Sequence, residues 1–141
     1  MEVDNNTRRV CKEKISECVT RCNRIYNIKM DIPTLSFKLK GTTAGYAQYD
    51  IHTVKLNPVF LMENTRDMIE DTIPHEVAHL VVYAVYFVRM RTYPKPHGNE
   101  WKSVMFALGL NPTRCHNYDM GTVYAQRAEN RRKNRRTEIE L

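Results

Sequence analysis

The chain has 141 residues, 42% hydrophobic and 27% charged, with a formal net charge of +6, which excludes a low-complexity or disordered chain and suits one domain with a core of its own. The first ten residues, MEVDNNTRRV, are charged where an export signal needs an apolar run, and the longest apolar stretch, Val77 to Val88, is interrupted by His79 and too short for a bilayer. A soluble, intracellular protein of the cytoplasm or nucleoid (or of the nucleus in a nucleated host) is expected, with no membrane partner, and the basic balance permits nucleic-acid contact without requiring it.

Apolar and cysteine residues from Val10 to Tyr26 recur at helical spacing, so Arg9 to Lys29 reads as an amphipathic helix ended by Ile32-Pro33. Cys11, Cys18 and Cys22 share one face of it and read as small buried hydrophobes rather than disulfide partners. Leu35 to Lys40 alternates apolar and polar, as a half-buried strand does, and Gly41-Thr42-Thr43 is a turn. Ala44 to Asp50 and Thr53 to Asn57 read as two more strands, joined tightly through Asp50-Ile51-His52 and closed by Asn57-Pro58.

From Asn64 the helical period returns and runs to Met90. Pro74 interrupts it, because proline lacks a donor and crowds the carbonyl four residues back. Either a helix starts there, capped by Asp71 or Thr72, or a longer helix bends. Tyr83, Tyr86 and Phe87 lie on this apolar stretch, where core packing is the default. Thr92 to Pro96 is a break, and His97 to Leu108 reads as a short helix stopped by Gly109 and Asn111-Pro112. The residues from Arg127 onward hold six basic and three acidic side chains, so the organisation expected is a domain over 1–126 and a basic tail over 127–141.

His75-Glu76-Val77-Ala78-His79 fits H-E-x-x-H. Four helical residues turn about 400°, so the two imidazoles face one way, one turn apart, and can share a Zn²⁺ ion. Glu76 lies about 100° round the helix, poorly placed as a ligand but well placed to take a proton from a zinc-bound water. A third ligand is required. The continuation H-x-x-G-x-x-H is absent, since Val82 and Val85 stand at its second and third marks. His97, Glu100 and His116 are the candidates, and His97, followed by Gly98, is the best placed. An oxyanion stabiliser is expected from His116, Tyr118 or Arg114. His52, at a strand turn, reads as solvated.

IPHEVAHLVVY followed by PHGNEWKSVM resembles the SprT/Spartan family of metalloproteases, marked by H-E-x-x-H and a downstream H-G-x-x-[W/F]. LSFKLKGTTAGYAQYDIHTVKLNPVFL, with its T-A-G and L-N-P, and TRCHNYD are similar to that family too, so the likeness runs from about Leu35 to Asp119. It implies His75, His79 and His97 as zinc ligands, Glu76 as general base, and Trp101 as packing. The fold it implies is α+β, a minimal zincin: N-terminal helix, three-stranded antiparallel sheet, metal helix and following ligand helix. Only Cys115 lies beyond the metal helix, so the four-cysteine zinc ribbon of many relatives is not expected. The implied function is a zinc endopeptidase acting on protein substrates, DNA-bound or DNA-crosslinked ones included, with DNA met by the run Arg131 to Arg136. The rivals are a DNA-binding or adaptor protein with a structural, catalytically silent metal site, and a zinc hydrolase of a non-peptide bond.

Overall fold

The structure, a computed structural model, describes residues 2–112 and 118–140, the last five as backbone alone. Helix α1 (Asn5–Tyr26) starts earlier than its apolar spacing suggests, because the Asp4 carboxylate accepts hydrogen bonds from the Thr7 backbone N–H (2.7 Å) and hydroxyl (2.9 Å). It also ends earlier. Asn27 takes a left-handed cap conformation (φ 52°), and the Asn23 side chain bonds both backbone groups of Met30, turning the chain back.

Three short strands follow: β1 (Thr34–Ser36), β2 (Gly45–Gln48) and β3 (Thr53–Leu56). Their order is β1-β3-β2, with β1 parallel to β3 (Thr34 opposite Thr53) and β2 antiparallel to it (Gly45 opposite Leu56). The sheet is therefore mixed, correcting the all-antiparallel expectation. The reason is burial: Val54 and Leu56 are wholly inaccessible, so β3 takes the middle and the 37–44 connection carries the chain past it. β1 stops at Ser36, and the alternation through Lys40 lies outside the sheet.

Asn57 does more than close the sheet. Its side chain accepts from Val59 N–H and donates to the carbonyls of Gly41 and Thr43, and its own N–H reaches Ala44. It thereby caps a helix the sequence reading passed over, α2 (Pro58–Glu63), with proline at the first turn.

Thr65 to Arg89 is helical throughout: α3 (Thr65–Asp67), a π-turn (Met68–Thr72), α4 (Ile73–Val82) and a second π-turn (Tyr83–Arg89). The longer-helix alternative is the one observed. The first π-turn sits immediately before Pro74, with Ile73 N–H bonded to Met68 C=O five residues back, and this wider winding gives the proline ring room. α4 is buried almost all round, packed against α1, β2 and α5 (Asn99–Ala107). The core joins the three cysteines and Ile15 of α1 to Val77, Val81, Trp101 and Phe60, each buried large side chain contributing about 1.5–3 kcal/mol. The last helix, α6 (Gly121–Glu140), begins before the expected tail, sets Val123 in the core, and ties Thr122 to Glu63 at 2.9 Å. Among the described residues no helix is long and apolar enough to cross a membrane.

Candidate metal centre

α4 presents His75 and His79 one turn apart, ring centroids 5.0 Å apart. His97 arrives from the loop before α5, its Nε2 3.0 Å from that of His75 and 3.1 Å from that of His79. One ligand atom from each of the three lies within 4.8 Å of the others. Imidazole nitrogens bound to one tetrahedral Zn²⁺ at 2.0–2.1 Å would stand about 3.3 Å apart, so the donor set fits a divalent cation with little movement. Burial, then the neighbouring His75 and His79's other partner His97, push the His79 pKa down to about 3. The ring is neutral at ordinary pH and its lone pair is available.

Trp101 holds the three rings in place. It is wholly buried, its indole N–H donates to the His75 carbonyl at 3.2 Å, and its ring lies 4.6, 5.7 and 4.8 Å from those of His75, His79 and His97. It locks α5 to α4, in line with the packing role expected of it. His97 itself is left-handed at φ 59°, a conformation costing a non-glycine residue about 1–2 kcal/mol. The next residue explains how the turn closes. A Cβ on Gly98 would stand 3.0 Å from the Lys95 carbonyl, which already accepts the Gly98 N–H at 2.9 Å. The close approach that Gly98 allows is thus to the backbone of its own turn.

Glu76 faces β2. It is 6% exposed, accepts a hydrogen bond from the Ala47 N–H, and sets its Oε2 3.8 Å from His75 Nε2. Burial pushes its pKa up to about 8, partly offset by the Ala47 bond. Gly45 makes the room for it: a Cβ there would lie 2.9 Å from Thr72 Cγ2 and 3.0 Å from Glu76 Cγ. Gly45 was not singled out from the sequence as a site residue, although glycine inside a strand is the signal of close approach.

The same cleft is lined by Tyr46, Tyr49, Asp67, Asp71 and Tyr118, and no lysine or arginine lines it among the described residues. Tyr118 is set against Phe60, and its hydroxyl is 3.1 Å from that of Thr72. Glu100, the reserve third ligand, is not brought into the histidine cluster. Arg114, Cys115 and His116 lie outside the described residues. His52 is bound, not merely solvated, its Nε2 2.6 Å from the Asp31 carbonyl. Cys11, Cys18 and Cys22 are buried, which raises their thiol pKa values to about 11, 12 and 11, so they act as core residues. Phe87 departs from the core-packing default, since it is 37% exposed, and Tyr83 is half-buried between the rings of Tyr49 and Phe87, whereas Tyr86 does pack against the core.

Comparison with known proteins agrees with the resemblance. The SprT-like family model matches residues 15–118. The chain is 38% identical over 120 residues to Protein SprT of Pasteurella multocida, covering 84% of this chain and 70% of that protein. It is 33% identical over 121 residues to Protein SprT of Vibrio parahaemolyticus, covering 85% and 70%. Against Protein SprT of Pseudomonas aeruginosa the figures are 36% over 106 residues, covering 74% and 62%. No solved structure matches the chain.

Proposed function

The chain belongs to the SprT-like family, and from that premise we propose that it is a zinc-dependent endopeptidase acting on protein substrates. The observation that carries this reading is Glu76, a carboxylate buried beside three convergent histidines and given space by Gly45. A purely structural metal site has no use for a buried acid at its edge, and burying one without function is costly.

His75, His79 and His97 would hold the metal, which when bound would supply Lewis acidity to a water and to the scissile carbonyl. Glu76 takes the proton of the attacking water and returns it to the leaving amine, its carboxylate steadied by the Ala47 N–H. β2, the edge strand beside Glu76, receives the substrate backbone as an added strand, so main-chain bonds supply affinity with little dependence on sequence. Tyr118, across the cleft, is the described candidate for a hydrogen bond to the carbonyl oxygen as charge develops there.

The substrates proposed include proteins bound or crosslinked to DNA. Support comes from a second recess, between residues 37–41 and α6, where Lys38, Lys40, Arg127, Arg131 and Lys133 gather. Five cations along one groove suit a phosphate backbone.

The deciding experiment measures zinc content, then cleavage of a DNA-bound protein with and without DNA, for wild type and Glu76→Gln. The reading predicts one zinc per chain, cleavage by wild type, and almost none by the variant. Equal turnover by both would overturn the role of Glu76, whereas no turnover by either would favour the adaptor reading, for which the basic groove is the specific support.

A further inference from the structure

Four aromatic rings form an unbroken series beyond the histidines. Tyr49 stacks on Tyr83 (5.0 Å, planes 10° apart), Tyr83 on Phe87 (4.9 Å, 16°), and Phe87 meets Tyr93 edge-on at 5.1 Å. Tyr83 and Phe87 extend the four-residue spacing of His75 and His79, so one helix face reads His, His, Tyr, Phe. In a regular α-helix each such step drifts by about 40°. The wider winding of the second π-turn, Tyr83–Arg89, reduces that drift and keeps Phe87 stacked on Tyr83. Three of the four rings are open to water, Tyr49 at 42%, Phe87 at 37% and Tyr93 at 84% exposed, with Tyr83 half-buried between Tyr49 and Phe87. Contiguous apolar surface of this kind marks a place where something binds.

Continuity and charge together name the occupant. Tyr49 belongs both to the strip and to the wall of the histidine cleft, so a ligand leaving the cleft along β2 meets the rings next. The acidic groups that line the mouth of that cleft are Asp67 and Asp71, with no lysine or arginine among the described residues to offset them, and these would repel a phosphate backbone. A polypeptide carries no such penalty. Laid end to end, the three ring-to-ring steps reach about 15 Å, which is four to five residues of extended chain.

We infer that Tyr49, Tyr83, Phe87 and Tyr93 form a docking strip for bulky apolar side chains of an extended polypeptide, a few residues to one side of the bond held in the cleft. This rests on the peptidase reading and adds a substrate feature to it: preference for unfolded segments rich in large apolar residues, over and above the sequence-neutral grip of β2.

The test uses the full chain, zinc-loaded and carrying Glu76→Gln so that bound peptide is not consumed. Fluorescein-labelled twelve-residue peptides with one phenylalanine moved along an otherwise Ser/Gly/Ala background are titrated by anisotropy. Binding should be strongest with the phenylalanine at one or two positions, and Phe87→Ser and Tyr93→Ser should each weaken that peptide about three- to tenfold. The same substitutions should leave the phenylalanine-free peptide unchanged. Tyr93 is mostly in water, so its variant tests the strip even if Phe87→Ser folds poorly. Equal binding by the parent and both variants overturns the inference. So does oligothymidine binding that the same substitutions abolish, which would make the strip a base-stacking surface. If the protein with Glu76 intact cleaves nothing while the peptide pattern holds, the peptidase reading fails and the strip stands.

Discussion

Two recesses in this molecule carry opposite charge. The histidine cleft is lined by Asp67 and Asp71 with no lysine or arginine among the described residues, whereas the groove along α6 is lined by Lys38, Lys40, Arg127, Arg131 and Lys133 against one acid, Glu129. They also differ in how they are built. The cleft is held by buried contacts from α4, α5 and β2, with Trp101 and Gly45 leaving little slack; the groove relies on exposed side chains of a helix anchored near its start. Geometry within fractions of an ångström is what bond chemistry requires, and tolerant charge is what holding a polyanion requires. Under the proposed function, the same chain separates the place for reaction from the place for retention.

If that division is right, damage to one recess should spare the other. The largest effect is expected from Glu76→Gln, which should lower kcat by about 10²- to 10⁴-fold with zinc content and DNA affinity unchanged, read by peptide turnover, metal analysis and anisotropy. Gly45→Ala comes next. It pushes Thr72 and Glu76 away from β2 and should lower turnover on the order of 10²-fold while zinc stays bound; full activity would show that the glycine contact is incidental. His97→Ala should weaken zinc binding at least 10- to 100-fold in chelator competition, and undiminished binding would send the search for a third ligand back to Glu100 or His116. Converting Lys38, Lys40, Arg127 and Arg131 to glutamine should reduce the slope of log affinity for duplex DNA against log salt by about 3.6, with cleavage of a short peptide untouched. A slope that does not move would take DNA away from this groove.

The smallest effect concerns the metal-free protein and its pH dependence. Glu76 has a folded pKa of about 8 against 4.5, so its contribution to stability is complete below pH 4.5 and lost as pH rises through 8. His79 has a folded pKa of about 3 against 6.5, so its contribution is present above pH 6.5 and lost as pH falls through 3. The two trends oppose each other between pH 4.5 and 6.5, leaving a plateau there and a decline from 6.5 to 8. Thermal melts of the chelated protein should show that decline in wild type and not in Glu76→Gln.

Much of the cleft was legible in the sequence because it is local. Two histidines four apart share a helix face whatever surrounds them, and Pro94 to Gly98 marks where the chain must turn to bring His97 back. Pairing partners are not local: nothing in LSFKLK says that β1 lies parallel to β3, because the decision belongs to the inaccessible Val54 and Leu56. Helix α2 was missed for a simpler reason. Asn-Pro closes strands and opens helices alike, and the choice depends on Asn57 reaching Gly41 and Thr43 across the turn. Phe87 shows the limit of periodicity, since an apolar helix face reads the same whether protein or water covers it.

Trp101 carries one last consequence. It is the sole tryptophan of the chain, and its indole touches the rings of all three histidines at once. Its fluorescence is therefore a built-in gauge of the centre, where a paramagnetic ion such as Co²⁺ should quench the emission and Zn²⁺ should not. Occupancy of the three-histidine cluster can then be followed by optical titration on the unlabelled protein, with no substrate in hand.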